Sequence, residues 1–443
     1  MHLTPGQPAP RVREWTVLCY NAGHRDESKM CTSSLVDLER VGSDDSVQIV
    51  AMNYRSPWLL EGVTGFNQDY RGARTYAVER HEHREKAGLL TRLLPADFRA
   101  AARFMLNSPR DLRSPVLERQ RLVNMGEAGT LKRFLLENMA RYPARRYAVI
   151  LSGHGAAFGG QMIVHSPEGR ISNEALGKTL DEVAAALGRK IDLVNLNTCF
   201  GANLETLYPL RRSVETVVAS QDLVFAATQP LARVMESLQA VQGRLDGAEL
   251  GRLCVGEARR QPLGGLFTGT LSAVDMGKLE AVTTAVNSLQ QAVLDEGVPP
   301  ATLKEAYEAS LRFTYSNRPR RVDLTDAGSF ARELSRRVES PAVHGAAQDL
   351  QRALKDCVLA EQHADAAQET LLSKGIRFLL RRPTPGPREL SGLTLYLDPD
   401  ANHPDSRLDQ IVKTEYASAV NAQPFLRWMG RAAEEERARR GPV

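Results

Sequence analysis

The chain has 443 residues, 42% of them hydrophobic, and a formal net charge of +4 from 57 basic and 53 acidic side chains. That composition suffices for a large core, and the interspersed signs exclude a dedicated nucleic-acid surface. The five cysteines, Cys19, Cys31, Cys199, Cys254 and Cys357, are odd in number and lack metal-type spacing. They indicate neither a disulfide framework nor a zinc site, and a reducing, cytoplasmic setting is expected.

Met1 to Pro10 carries three prolines and no apolar core, so residues 1–13 read as a loose tail, and no uncharged apolar run approaches the ~20 residues of a membrane span. Trp15–Ala22 reads as a first strand, Ser34–Val41 as a helix and Val47–Met52 as a second strand. From Tyr54 to Arg121 the pattern is irregular, broken by Pro57, Pro95, Pro109 and Pro115. His81 and His83 lie there among Glu82, Arg84 and Glu85, which reads as a solvated loop or hairpin rather than a metal pair.

Leu131, Phe134, Leu135 and Met139 mark an amphipathic helix stopped by Pro143. Two short apolar runs follow. Tyr147–Leu151 ends at Ser152-Gly153-His154-Gly155, and Ile191–Leu196 ends at Asn197-Thr198-Cys199-Phe200-Gly201. Between them Asn173–Gly188 has helical spacing, with Ser172 or Asn173 as its cap and Gly188 as its stop. This is a βαβ unit, which makes the two strands parallel and brings His154 and Cys199 to the carboxyl edge of one sheet. A cysteine attacks a carbonyl as thiolate and needs a neighbouring base, and a histidine serves near neutral pH. The amides of Gly155 and Cys199 are then placed to form an oxyanion hole. On spacing alone the alternatives stay open: a buried cysteine and a glycine-rich turn.

Ala202–Tyr208 reads as a short helix whose N-terminus favours an anionic thiol, with Asn203 and Glu205 facing solvent or capping neighbours. Val214–Ser220 is the next strand, with Gln221-Asp222 at its end. Helical patterns then cover Pro230–Leu238, Gly247–Arg260, Met276–Glu296, Leu303–Phe313, Asp323–Val338 and Ala346–Ala366, with Cys254 and Cys357 as core fillers. Gly392–Leu397 returns to strand. Asp398, Asp400 and Asp405 follow; calcium is the ion that suits them, but they lack the glycine and terminal glutamate of an EF-hand and also read as acidic turn residues. Arg431–Val443 is a polar tail.

The strand-His-Gly and strand-Asn-Thr-Cys stretches resemble the signatures of the clostripain family of cysteine peptidases, relatives of caspases, legumains and gingipains. Trp15–Ala22, Ser34–Val41, Val123-Asn124-Met125-Gly126 with Thr130-Leu131, Val217–Gln221 and Gly392–Leu397 match further blocks of that family in order. The resemblance implies a caspase-like αβα sandwich around a mostly parallel sheet, with helical additions in the C-terminal half. The core is expected over 14–230, a helical accessory region over 231–390, a returning strand and closing segment over 391–430, and the tail over 431–443. It also implies an endopeptidase without cofactor that acts on protein or peptide substrates with a His154–Cys199 pair and no third member.

Family members cleave after Arg or Lys with acidic residues in the S1 pocket, one of them two positions before the cysteine. That position is Asn197 here, so Asp222 is expected to supply the anion and Asn197 polar support. Arg170, in the loop after His154, is a candidate self-cleavage site, with an uncut surface hairpin as the alternative. The remaining alternatives are an inactive scaffold of the same fold, and a regulated protease of an antiviral module that activates a pore-forming or other effector.

Overall fold

The computed structural model describes residues 11–24, 27–55, 70–83, 112–165, 168–224, 229–260, 269–317, 320–363, 389–404 and 406–440. The N-terminal tail through Pro10, Pro57, Pro95, Pro109, Arg84, Glu85, Asp405 and the last three residues lie outside them.

The first half alternates strand and helix in the way the apolar pattern demands. It runs β1 (Arg13–Asn21), α1 (Glu27–Val41), β2 (Val47–Arg55), β3 (Gly72–Ala77), β4 (Val116–Gln120), α2 (Ala128–Arg141) and β5 (Ala144–Ser152). A small unit follows, β6 (His154–Gly155), β7 (Gln161–His165) and β8 (Glu168–Ile171), then α3 (Asn173–Leu187), β9 (Ile191–Asn197), α4 (Leu204–Leu207) and β10 (Val214–Ala219). Ser172 caps α3 by accepting from the Ala175 amide, and Gly188 ends it in the left-handed conformation at φ 70°, where a side chain would be strained.

Among the described residues, nine strands form one sheet, which starts from β14 (Val358–His363) and β11 (Thr270–Asp275) and runs in the order β14-β11-β10-β9-β5-β1-β2-β3-β4. The central run from β10 to β2 is parallel. Each flank is closed by two antiparallel strands, β3 and β4 on one side and β11 and β14 on the other. Alternate residues feed opposite faces. Leu18, Tyr20, Val149 and Leu151 join Leu131, Phe134, Leu176 and Leu180 in one core. Val17, Cys19, Ala148 and Ile150 join Leu35, Leu38, Val234 and Leu250 in the other. Burial of both faces explains why the parallel strands read as unbroken apolar runs, and the architecture is the expected αβα sandwich.

The second half departs from the sequence reading. Its helices are α5 (Leu231–Ala240), α6 (Gly247–Arg259), α7 (Leu279–Asp295), α8 (Pro300–Ala309), α9 (Ala327–Ser335) and α10 (Pro341–Cys357). However, the stretch expected to be a helical accessory region also supplies β11 and β14 to the central sheet. The Leu303–Phe313 and Asp323–Val338 patterns run into β12 (Arg312–Asn317) and β13 (Arg320–Asp326). The Ala346–Ala366 pattern conceals a change of state at Val358, where β14 leaves α10 with no glycine or proline between them. The returning strand β15 (Thr394–Tyr396) joins neither edge of the central sheet; it pairs with β13 in a separate antiparallel sheet, β12-β13-β15. The chain closes with α11 (Leu408–Ile411), α12 (Glu415–Ala419) and α13 (Ala422–Arg440), so the polar tail is helical through Arg440.

His83 is not solvated. Its Nε2 lies 2.9 Å from Glu39 Oε2, and both side chains are nearly inaccessible. Glu39 also accepts from the Arg113 and Ser114 amides, so this histidine ties the loop to α1. Asp398 accepts from the Tyr396 hydroxyl and the Asp400 amide, and Asp400 pairs with Arg437 at 2.8 Å, which is the geometry of an acidic turn. Among the described residues no three His, Cys, Asp or Glu side chains gather as a metal site, and no helix is long and apolar enough to cross a membrane.

Candidate active site

Strands β5 and β9 are adjacent and in register, with Ser152 opposite Asn197. His154 and Cys199 each lie two residues beyond that pair, so the topology delivers both to the same height at the carboxyl edge. The two loops touch. A Cβ on Gly155 would fall 2.7 Å from the Cys199 carbonyl oxygen and 2.9 Å from Thr198 Cβ, so only glycine allows this approach. Phe200, immediately after the cysteine, holds φ 57° with its side chain fully buried. This strained elbow turns the chain sharply below the thiol.

Cys199 is partly exposed, whereas the four other cysteines are buried. Burial pushes the Cys19, Cys254 and Cys357 thiols up to about 12 and Cys31 well above its ordinary value. None of these four is suited to form a thiolate near neutral pH. Cys199 Sγ meets the backbone of Val224, donating to its carbonyl at 3.4 Å and accepting from its amide at 3.3 Å. The segment that leaves β10 thus folds over the sulfur.

A third residue enters where none was expected. Glu27 Oε1 lies 3.1 Å from His154 Nδ1, with side-chain exposures of 7% and 31%. The placement follows from the ends of β1 and β5. The Ala22 amide donates to the Ser152 carbonyl at 2.8 Å, and a side chain on Gly23 would collide with Ser28 Cα and the Tyr54 carbonyl, each at 2.9 Å. Helix α1 therefore starts directly beneath the histidine loop. A carboxylate in its first turn is favoured by the helix dipole. This contact anchors the imidazole through Nδ1.

The expected specificity residues are placed as follows. Asn197 is buried, its side-chain amide donating to Ser152 Oγ at 3.1 Å. Asp222 lies three residues beyond Ala219, which pairs with Leu196, itself three residues before Cys199. Its carbonyl accepts from the Phe200 amide at 3.1 Å, and its Oδ1 accepts from the Leu223 amide at 2.7 Å. Arg170 is exposed on β8, but its neighbours Gly169 and Ile171 are paired to Val164 and Gln161. The hairpin must open before that bond can enter a cleft.

Asn203 and Glu205 do not face solvent; both are buried. Helix α4 is a single turn, Leu204–Leu207, too short for the dipole effect expected at the thiol. Glu205 Oε1 accepts from the Tyr396 amide at 3.0 Å and so ties the cysteine loop to β15. Burial raises this carboxyl from 4.5 to about 7. Below about pH 4.5 the group is protonated whether folded or not; as pH rises from there to 7, only the unfolded chain releases its proton. Stability therefore falls across this window, by about 3 kcal/mol in all. Glu205→Gln keeps the oxygen acceptor and is expected to abolish that loss, raising the melting temperature at pH 8 but not at pH 4.5. Parallel melts of the two proteins check this, and an equal pH response would contradict it.

The family model of the clostripain peptidases matches residues 106–423 of this chain. No curated protein sequence matches it. Similar solved structures include a secreted C11 cysteine protease from Bacteroides thetaiotaomicron, "iotapain", with a TM-score of 0.62 and 14% identity, covering 93% of this chain and 100% of that one. An inactive zymogen C11 protease from Parabacteroides distasonis gives 0.57 and 14%, covering 93% and 99%. The Bacteroides thetaiotaomicron protease in complex with an irreversible peptide inhibitor gives the same values. The structures share the fold, and the sequence match spans well over half of the chain: it belongs to the clostripain family of cysteine peptidases.

Proposed function

We propose that this endopeptidase works through Cys199 as nucleophile and His154 as its base, and cleaves after basic residues, Arg before Lys. The observation that carries the reading is the common height of His154 and Cys199 beyond the Ser152–Asn197 pair, with Cys199 the one partly exposed cysteine. The sulfur attacks the scissile carbonyl carbon while its proton passes to His154 Nε2. The amides of Gly155 and Cys199 receive the negative oxygen. Collapse expels the amine, which takes the proton from the imidazolium and leaves a thioester on Cys199. Water, deprotonated by the same nitrogen, hydrolyses it.

Val224 must leave the sulfur before a carbonyl can reach it. The described conformation is therefore proposed as latent, as a regulated protease that activates a partner protein requires. Basic P1 preference rests on Asp222, carried by the neighbouring strand end to the level of Cys199, with Asn197 as polar support beneath. A carboxylate offsets the desolvation of a guanidinium better than an amide does, and the planar fork explains Arg over Lys. The test is kcat/KM on matched Arg, Lys and Asp substrates for wild type and Asp222→Asn. Loss of about tenfold or more on Arg in the variant is expected. An unchanged Arg preference, or an acidic preference in the wild type, would reject the assignment.

A further inference from the structure

We infer that Gln161 is the positioning residue of the oxyanion site, clamping the histidine loop to the cysteine loop so that the Gly155 and Cys199 amides converge on one point. The inference rests on the catalytic reading above and deepens it. Gln161 opens β7, where it pairs with Gly155, while His154 pairs with Ile163. Met162 is therefore the extra residue of a β-bulge, held at φ 50° with its side chain fully buried. Such a bulge re-aims the neighbouring side chain.

Here the side chain re-aimed is a carboxamide, wholly inaccessible, whose Oε1 accepts from Thr198 Oγ1 at 2.7 Å. The same oxygen lies 2.6 Å from where a Gly155 Cβ would stand. One atom thus touches the residue after the histidine and the residue before the cysteine. Stability alone does not call for it. Gln161 Nε2 is buried with no hydrogen-bond partner among the described residues, and a buried unpaired donor costs free energy that an apolar side chain of similar size avoids. Strain gathers at the same place: three of the five described non-glycine residues with positive φ, Ala157, Met162 and Phe200, lie in the segments that follow His154 and Cys199, the other two being Gln242 and Asn421. Strain and an unsatisfied polar group together mark a position held for its geometry rather than for packing.

The chemistry needs that geometry. Two amides stabilise a tetrahedral oxygen only while both aim at it, and small displacements of a donor erode the rate steeply. The thiol itself does not depend on this tie, so the role separates from that of the nucleophile. Alkylation by iodoacetamide forms no oxyanion, whereas hydrolysis and the hemithioacetal of a peptide aldehyde both do.

The experiment compares full-length wild type with Gln161→Leu, Thr198→Val, their double variant and Thr198→Ser. In Gln161→Leu, kcat is expected to fall about 10- to 100-fold with KM within about twofold. Aldehyde affinity should weaken by a similar factor, and the rate of Cys199 alkylation should stay within about twofold of wild type. Thr198→Val should reproduce these losses, the double variant should add little to either single one, and Thr198→Ser should restore wild-type behaviour. Should Gln161→Leu not fold, Thr198→Val carries the same readouts. Wild-type kcat in both Gln161→Leu and Thr198→Val, or a loss of alkylation in step with hydrolysis, would overturn the inference. Retained hydrolysis in Cys199→Ala would instead refute the catalytic reading, whatever Gln161 does.

Discussion

Cys199→Ala is expected to lower kcat/KM by about 10⁴-fold or more while leaving the fold in place. The substitution removes one atom, the sulfur, and with it the two contacts to the Val224 backbone. No other cysteine can substitute, because the remaining four are buried and their thiols raised. His154→Ala should cost less, about 10²- to 10⁴-fold, the ordinary share of a positioned acid–base group. Kinetics on one peptide substrate, with circular dichroism as the control for folding, check both. Activity in Cys199→Ala within about tenfold of wild type would exclude the proposed nucleophile.

The second large effect concerns Glu27. Its carboxylate meets Nδ1 of His154, and with a side-chain exposure of 7% it is little screened by water. Glu27→Gln should lower kcat by about 10²-fold with KM nearly unchanged, less than the ~10⁴-fold known where a buried aspartate holds a catalytic histidine. The smaller figure reflects the 31% exposure that the His154 side chain keeps. Unlike Gln161→Leu, this variant should also slow alkylation of Cys199, since it weakens the base rather than the oxyanion site. Equal alkylation rates in Glu27→Gln and wild type would show that the carboxylate serves structure alone.

These residues differ in how far the sequence disclosed them. His154 and Cys199 were legible because each ends an apolar run, and a strand buried on both faces is written in consecutive residues. The crossover helix was legible to its stop at Gly188, and its cap was narrowed to Ser172 or Asn173, of which Ser172 is the one used. Glu27 was not. It follows Asp26 at the start of a helix far from His154 in the chain, and nothing local distinguishes one acidic residue from the other. Gln161 was hidden for a different reason: its direction is set by the bulge at Met162, and a bulge has no period to read. In the second half, β14 follows α10 without a breaking residue, so helical spacing ran on where the chain had already extended. The separate pairing of β15 with β13 is a tertiary choice that the strand's own residues do not encode.

The central claim, that Cys199 is the nucleophile served by His154, is tested most directly by covalent trapping. Wild type, His154→Ala and Cys199→Ala are treated with an irreversible peptidyl ketone bearing Arg at P1, and the adduct is mapped by mass spectrometry. The account predicts a single adduct on Cys199 in the wild type, much slower labelling in His154→Ala and none in Cys199→Ala. An adduct on Cys19, Cys31, Cys254 or Cys357, or hydrolysis that persists once Cys199 is fully blocked, would contradict it.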